Sequence, residues 1–119
     1  MLRLKLLVIF AFAVAAAAGA CSDAATGEHK IASDTSYEAS LFRQNCAICH
    51  GTDGEGKTLD DGTVVPSLRA GEFKKTTENE IYNQIADGGN GMLAFRRQLT
   101  DREIRLLTDL VRTKLRSAK

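Results

Sequence analysis

Apolar positions along the chain fall into one continuous run followed by three short periodic clusters. Leu6 to Ala18 is the continuous run, preceded by Arg3 and Lys5 and followed by Ala18-Gly19-Ala20. A basic start, a short apolar stretch and small residues at its end describe an export leader over residues 1–20. The run is shorter than the roughly 20 apolar residues a spanning helix requires. Residues 22–35 are small and polar without a period, so 21–35 reads as a flexible linker, with His29 a solvated side chain within it. From Ser36 the pattern changes. Tyr37, Leu41 and Phe42 fall at i, i+4 and i+5, one apolar face of a short helix with Ser36 as its N-cap, and all three read as core. Thr77 and Glu80 form a capping box before Ile81, Tyr82 and Ile85, and Gly88 stands where this helix should stop. Thr100 and Glu103 repeat the box before Ile104, Leu107, Leu110, Val111 and Leu115, a continuous apolar stripe. Arg112, Lys114 and Arg116 lie in the last turns, where cations complement the helix dipole. No strands are expected beyond a possible short pair, so the pattern describes one all-α domain over residues 36–119.

Size and composition sharpen this picture. Without the leader, 99 of the 119 residues remain, a length that buries only a modest core. Aromatics make up 6% of the chain and tryptophan is absent, which suits a domain whose central apolar body is not protein. Of the 16 Lys and Arg, Arg3 and Lys5 belong to the leader, leaving 14 against 15 Asp and Glu. That balance gives no basic footprint for nucleic acid. The distribution is lopsided, however. Residues 23–61 hold eight acids and three bases, whereas residues 96–119 hold eight bases and three acids. Such asymmetry can orient a molecule as it meets a partner, although two ordinary solvated faces account for it equally well.

The chemistry lies in Cys46-Ala47-Ile48-Cys49-His50. Two cysteines two residues apart, followed at once by histidine, form the c-type haem attachment signature. Each thiol can add across a porphyrin vinyl group, and the adjoining imidazole can bind the iron. A zinc site would need a second ligand pair, and a redox dithiol would come with a βαβ pattern; neither is present in the sequence. Covalent haem would also staple so small a domain. Three cysteines are odd for an exported protein, and the third, Cys21, follows Ala18-Gly19-Ala20 directly. That placement resembles a bacterial lipobox, in which the first mature cysteine is acylated, although Ala18 stands where a large aliphatic residue is usual. Ordinary cleavage at the same place would leave Cys21 as a free thiol. Either route exports the chain.

Beyond His50, Gly51-Thr52-Asp53-Gly54-Glu55-Gly56 permits the tight turns needed where backbone approaches a flat ligand. A phosphate-cradling loop would require a Gly-Lys-Ser/Thr ending after a strand, and has neither. Cys46-Ala47-Ile48-Cys49-His50-Gly51 with Gly54 and Gly56 resembles the Cys-x-x-Cys-His-Gly-x-x-Gly-x-Gly pattern of class I c-type cytochromes, in their small bacterial monohaem form. Gly91-Met92-Leu93-Ala94-Phe95 resembles that family's Gly-x-Met-Pro-x-Phe loop, so the likeness covers about residues 36–116. It implies a cytochrome c fold, with three to four short helices around one covalent haem c. Cys46 and Cys49 would hold the haem, and His50 and Met92 would be its axial ligands. The Pro66 carbonyl would accept from the free ring nitrogen of His50, and Leu68 would pack on the haem. Ile81 and Phe95 would line the pocket, and the last helix would cross the first near Phe42. With Met1 in the leader, Met92 is the only mature methionine, which supports the same assignment independently. Leu93 departs from the family proline, leaving the stiffness of this loop open.

Two protein ligands leave the iron no open position. The resemblance therefore implies a periplasmic one-electron carrier, itself no enzyme, that serves oxidases, reductases or dehydrogenases. An acylated Cys21 would add a membrane tether. Arg96, Arg97 and Arg102, after the Met92 loop, would favour an acidic partner surface. The alternative is a haem protein with a labile Met92, acting on peroxide or a gas ligand. It lacks a distal histidine, since the only other histidine is His29.

Overall fold

A computed structural model describes residues 28–116. The leader, Cys21 and residues 22–27 lie outside the described residues. Helix α1 spans Tyr37–Asn45, and a single turn, α2, follows over Ala47–His50. A two-residue antiparallel pair comes next, β1 (Lys57–Thr58) and β2 (Val64–Val65), with Lys57 opposite Val65. Helix α3 covers Glu78–Asp87, and α4 covers Asp101–Asp109. Helix α4 then widens into π-helical turns over Leu110–Leu115. No helix among the described residues is long and apolar enough to cross a membrane.

The three caps expected from the sequence form as drawn. The Ser36 hydroxyl accepts from the Ala39 amide, and both Thr77–Glu80 and Thr100–Glu103 close reciprocal capping boxes. Each satisfies amides that the first helical turn leaves without partners. Helix α4 is the hub, packing on both α1 and α3. Its stripe of Ile104, Leu107, Leu110, Val111 and Leu115 is wholly buried, together with Leu41 and Phe42 of α1 and Ile81 and Ile85 of α3. Burying each such side chain contributes about 1.5–3 kcal/mol. Leu110, Val111 and Leu115 all stay buried through the wider π-helical turns.

Two expectations need correction. Tyr37 is not core: it is 58% exposed, and its hydroxyl donates to the Glu103 carboxylate. It occupies the first turn of α1 beside the start of α4, so its polar tip ties the two helix starts together. The second correction concerns residues 28–35, expected as linker. Ile31 is fully buried, and Arg43 donates to the carbonyls of Ile31 and Asp34, each at 2.7 Å. His29 is not simply solvated either, since its Nε2 approaches Asp34 Oδ2 at 2.9 Å. One buried isoleucine and several backbone acceptors hold this segment. Neither produces a period that could be read from sequence.

Candidate haem site

Cys46 both ends α1 and begins α2, its amide donating to the Phe42 carbonyl at 2.8 Å. The single turn of α2 puts Cys49 three residues on and His50 four residues on from Cys46, all on one face. The turn stops at Gly51, whose φ of 84° suits glycine. Cys46 packs against the core, whereas Cys49 is exposed. Burial, with Cys49 adding to it, pushes the Cys46 thiol up to about 12. A thiol so buried ionises less readily than a free one. No group of three or more His, Cys, Asp or Glu among the described residues could hold a metal ion.

The His50 imidazole is half-buried, and its Nδ1 is buried with no completed hydrogen bond. Burial lowers its pKa, and the Pro66 carbonyl beside the ring opposes that shift. A neutral imidazole with one nitrogen facing a carbonyl is how a metal-bound histidine is usually oriented. Pro66 is brought there by the loop after His50. The Gly56 amide donates to the His50 carbonyl at 2.8 Å, and the Leu68 amide donates to the Gly54 carbonyl at 2.8 Å. A Cβ on Gly56 would lie 2.6 Å from the Val65 oxygen and 2.9 Å from the Pro66 carbonyl carbon. Only glycine lets these two stretches approach so closely. Leu68, Met92, Tyr82 and Leu99 pack partly buried against the core, with Ile81 and Phe95 buried beneath.

The Met92 side is built on the end of α3. Gly89 and Met92 exchange two backbone hydrogen bonds, 2.9 and 3.1 Å. Between them Asn90 and Gly91 both have positive φ, 53° and 86°, the requirement of a type I′ turn. The amides of Phe95 and Arg96 then donate to the carbonyls of Ile85 and Ala86, each at 3.1 Å. Gly88, also at positive φ, allows Met92 and Leu93 to lie against it, since a Cβ there would meet the Met92 oxygen at 2.5 Å. Gln84 completes the arrangement, with Nε2 3.0 Å from the Gly89 carbonyl and 3.8 Å from the Met92 sulfur.

Gln84 was not singled out from the sequence, although a long amide one turn before a glycine stop was an available signal. Arg69 and Asp53 were missed as well, and no local pattern marks them. Arg96 is engaged in an ion pair with Asp87 at 2.9 Å, which leaves Arg97 and Arg102 as the exposed arginines without one among the described residues.

Residues 35–111 match the family described as cytochrome c oxidase, cbb3-type, subunit III. The chain belongs to this family, as a small class I c-type cytochrome. Over 62 residues it is 37% identical to a cytochrome bc1 complex cytochrome c subunit of Corynebacterium efficiens, covering 52% of this chain and 19% of that protein. It is 32% identical over 74 residues to cytochrome c6 of Thermosynechococcus vestitus, covering 62% of this chain and 64% of that one. Among solved structures, the KustC0563 c-type cytochrome superposes with a TM-score of 0.54 at 33% identity, over 61% of this chain and 90% of that one. The chain thus spans about a fifth of the bc1 subunit's length and just under two thirds of the cytochrome c6. Its cofactor is covalent haem c, and the two thiols of Cys46 and Cys49 on one turn with His50, whose ring lies beside the Pro66 carbonyl, fit that group.

Proposed function

We propose that this protein is an exported monohaem electron carrier, with Cys46 and Cys49 in thioether bonds and His50 and Met92 as axial ligands. The observation that carries the reading is the construction of the Met92 loop. Its turn is closed twice by backbone hydrogen bonds, is stapled to α3 through Phe95 and Arg96, and has its sulfur met by Gln84. Those contacts supply the stiffness that a proline after Met92 would otherwise provide, and they favour a permanent ligand over a labile one. Haem c, when bound, supplies a one-electron Fe(III)/Fe(II) couple. The chain's own part is to hold both ligand side chains in place through the cycle, so that little reorganises. Burial lowers the pKa of the His50 imidazole, and the Pro66 carbonyl lies beside the ring to orient it. Exposed Cys49 and Leu93, the latter 71% exposed, leave an apolar edge at the surface for a small, transient redox interface. Arg97 and Arg102 bias that contact towards acidic partners, and likeness to a bc1 complex subunit supports a respiratory partner. Acylation of Cys21 would hold the domain at a membrane facing the periplasm, and the mass of the mature N-terminus distinguishes acylated from free cysteine.

Spectra of the holoprotein test the ligand set. The ferric form should show the weak red charge-transfer band of methionine ligation, and the ferrous form should bind CO slowly. Met92→Ala should keep covalent haem, lose the band, bind CO readily and have a lower reduction potential. High-spin iron with rapid CO binding in the unaltered protein would favour the peroxide or gas-ligand alternative, and an unchanged potential in Met92→Ala would remove Met92 from the ligand set.

A further inference from the structure

The segment 28–34 and the loop after His50 meet at Asp53, and Arg69 joins them. Asp53 is gripped at two points. Its Oδ1 accepts from the Ala32 amide at 2.9 Å, and its carbonyl accepts from Arg69 Nε. The same guanidinium donates to the His29 carbonyl and pairs with Glu28 at 3.1 Å. Arg69 is only 8% exposed. A buried cation is retained at such a place when it is paired and hydrogen-bonded, and here Nε and Nη2 join two separate stretches of chain, at Asp53 and His29. Arg69 follows directly on Leu68, whose amide holds the Gly54 carbonyl, and Gly56 in turn holds the His50 carbonyl. A hydrogen-bonded path therefore runs from the N-terminal strap through Asp53 and Arg69 to the backbone of His50.

We propose that residues 28–34 and Arg69 form a latch on the 51–56 loop, so that the seating of the N-terminal strap positions the proximal imidazole. The proposal rests on His50 being an iron ligand. Arg69 acts through the loop and is a positioning residue. Opposite it, Arg43 holds the strap to α1 through the Ile31 and Asp34 carbonyls, and Lys114 reaches Asp34 from the last helix at 3.3 Å. The latch is thus fastened to the helical body as well as to the loop. Loosening either fastening should reach His50.

The test uses haem-loaded protein carrying Arg69→Met, Asp53→Ala or Arg43→Met. Arg69→Met keeps the buried stem while removing the donors, and Asp53→Ala removes only the acceptor for Ala32. Amide hydrogen exchange at Gly54, Gly56 and Leu68 should quicken about tenfold in all three, with Ile81 and Ile85 of α3 unchanged. The ring resonances of His50 and the reduction potential should shift in the same variants, and least in Arg43→Met, which touches only the strap. Uniformly faster exchange across α3 as well would make Arg69 a general stabiliser and overturn the latch. Faster loop exchange with unchanged His50 resonances and potential would overturn the coupling. Unaltered protein lacking a histidine-iron signature would instead overturn the ligand assignment, while the exchange data would still decide the latch.

Discussion

The two sides of the proposed haem site, around His50 and around Met92, are held by opposite strategies. On the distal side every fastening of Met92 comes from residues 84–96: the turn at Asn90 and Gly91, the Gln84 amide, and the hydrogen bonds of Phe95 and Arg96 to the end of α3. On the proximal side the fastenings are distant in sequence. Arg69 reaches back to His29 and Asp53, and Ala32 reaches forward to Asp53. A local device forms as soon as its own short segment folds, whereas a device of distant parts needs the whole domain assembled. The difference suits the covalent chemistry. In the proposed ligand set His50 would be tied to the haem through its neighbours Cys46 and Cys49, while Met92 would have no covalent attachment nearby and would depend on a preorganised loop.

The largest perturbation removes what both sides close upon. Cys46→Ser with Cys49→Ser should abolish covalent haem and leave a largely unfolded chain, read as loss of helical circular dichroism after export. A compact, helical double variant would show that the proteinaceous core suffices without the staple.

Next in size is a break confined to the distal side. Gly88→Ala places a Cβ 2.5 Å from the Met92 oxygen at a φ of +71°, so the loop must move. Strain of this kind costs about 1–3 kcal/mol. The expected outcome is a lower melting temperature, loss of the methionine charge-transfer band and faster CO binding, with the thioethers intact. Retention of the band with unchanged CO binding would mean that Met92 does not depend on this close approach. Gln84→Leu tests the same loop more gently. It removes one amide contact to the sulfur and one to the Gly89 carbonyl, a loss of about 0.5–1.5 kcal/mol. CO binding should quicken modestly, and an unaltered rate would show that the backbone turn alone fixes Met92.

This contrast also explains what could be read from the sequence. The helix starts at Ser36, Thr77 and Thr100 and the buried stripe on α4 all depend on spacings within one or two turns, and each took the expected form. Capping boxes and turn glycines carry their physics in a few adjacent residues. The strap did not. Ile31 is one apolar residue in a polar stretch, and its burial depends on Arg43, Arg69 and Lys114, none of them adjacent in sequence. Tyr37 was misplaced for a related reason. Its helical position suits the core, but Glu103, 66 residues away, offers its hydroxyl an acceptor at the surface.

The smallest expected effect compares the acid response of the two sides. Glu80 caps α3, the helix that bears the Met92 loop, and accepts from the amides of Thr76 and Thr77 and from the Thr77 hydroxyl, each at 3.0 Å. The Thr77 and Thr76 amides hold its carboxyl at about 2, against an ordinary 4.5. Asp34 plays the corresponding part in the strap, where Ser36 and then Lys114 hold its carboxyl well below the usual carboxylate range. Both folded-state values are depressed, so the stability they confer is present above the unfolded-state value and is lost as pH falls towards the folded one. For Glu80 that window runs from about 4.5 down to about 2. Glu80→Gln should lower the melting temperature slightly at neutral pH, because glutamine still accepts at this capping position, and should flatten the acid slope within the window. Asp34→Asn should flatten a slope that extends to lower pH and should act first on the loop after His50. If both variants altered the Met92 signature equally and neither touched the proximal loop, the two sides would be one cooperative unit, and the contrast between a local and an assembled ligand mount would fail.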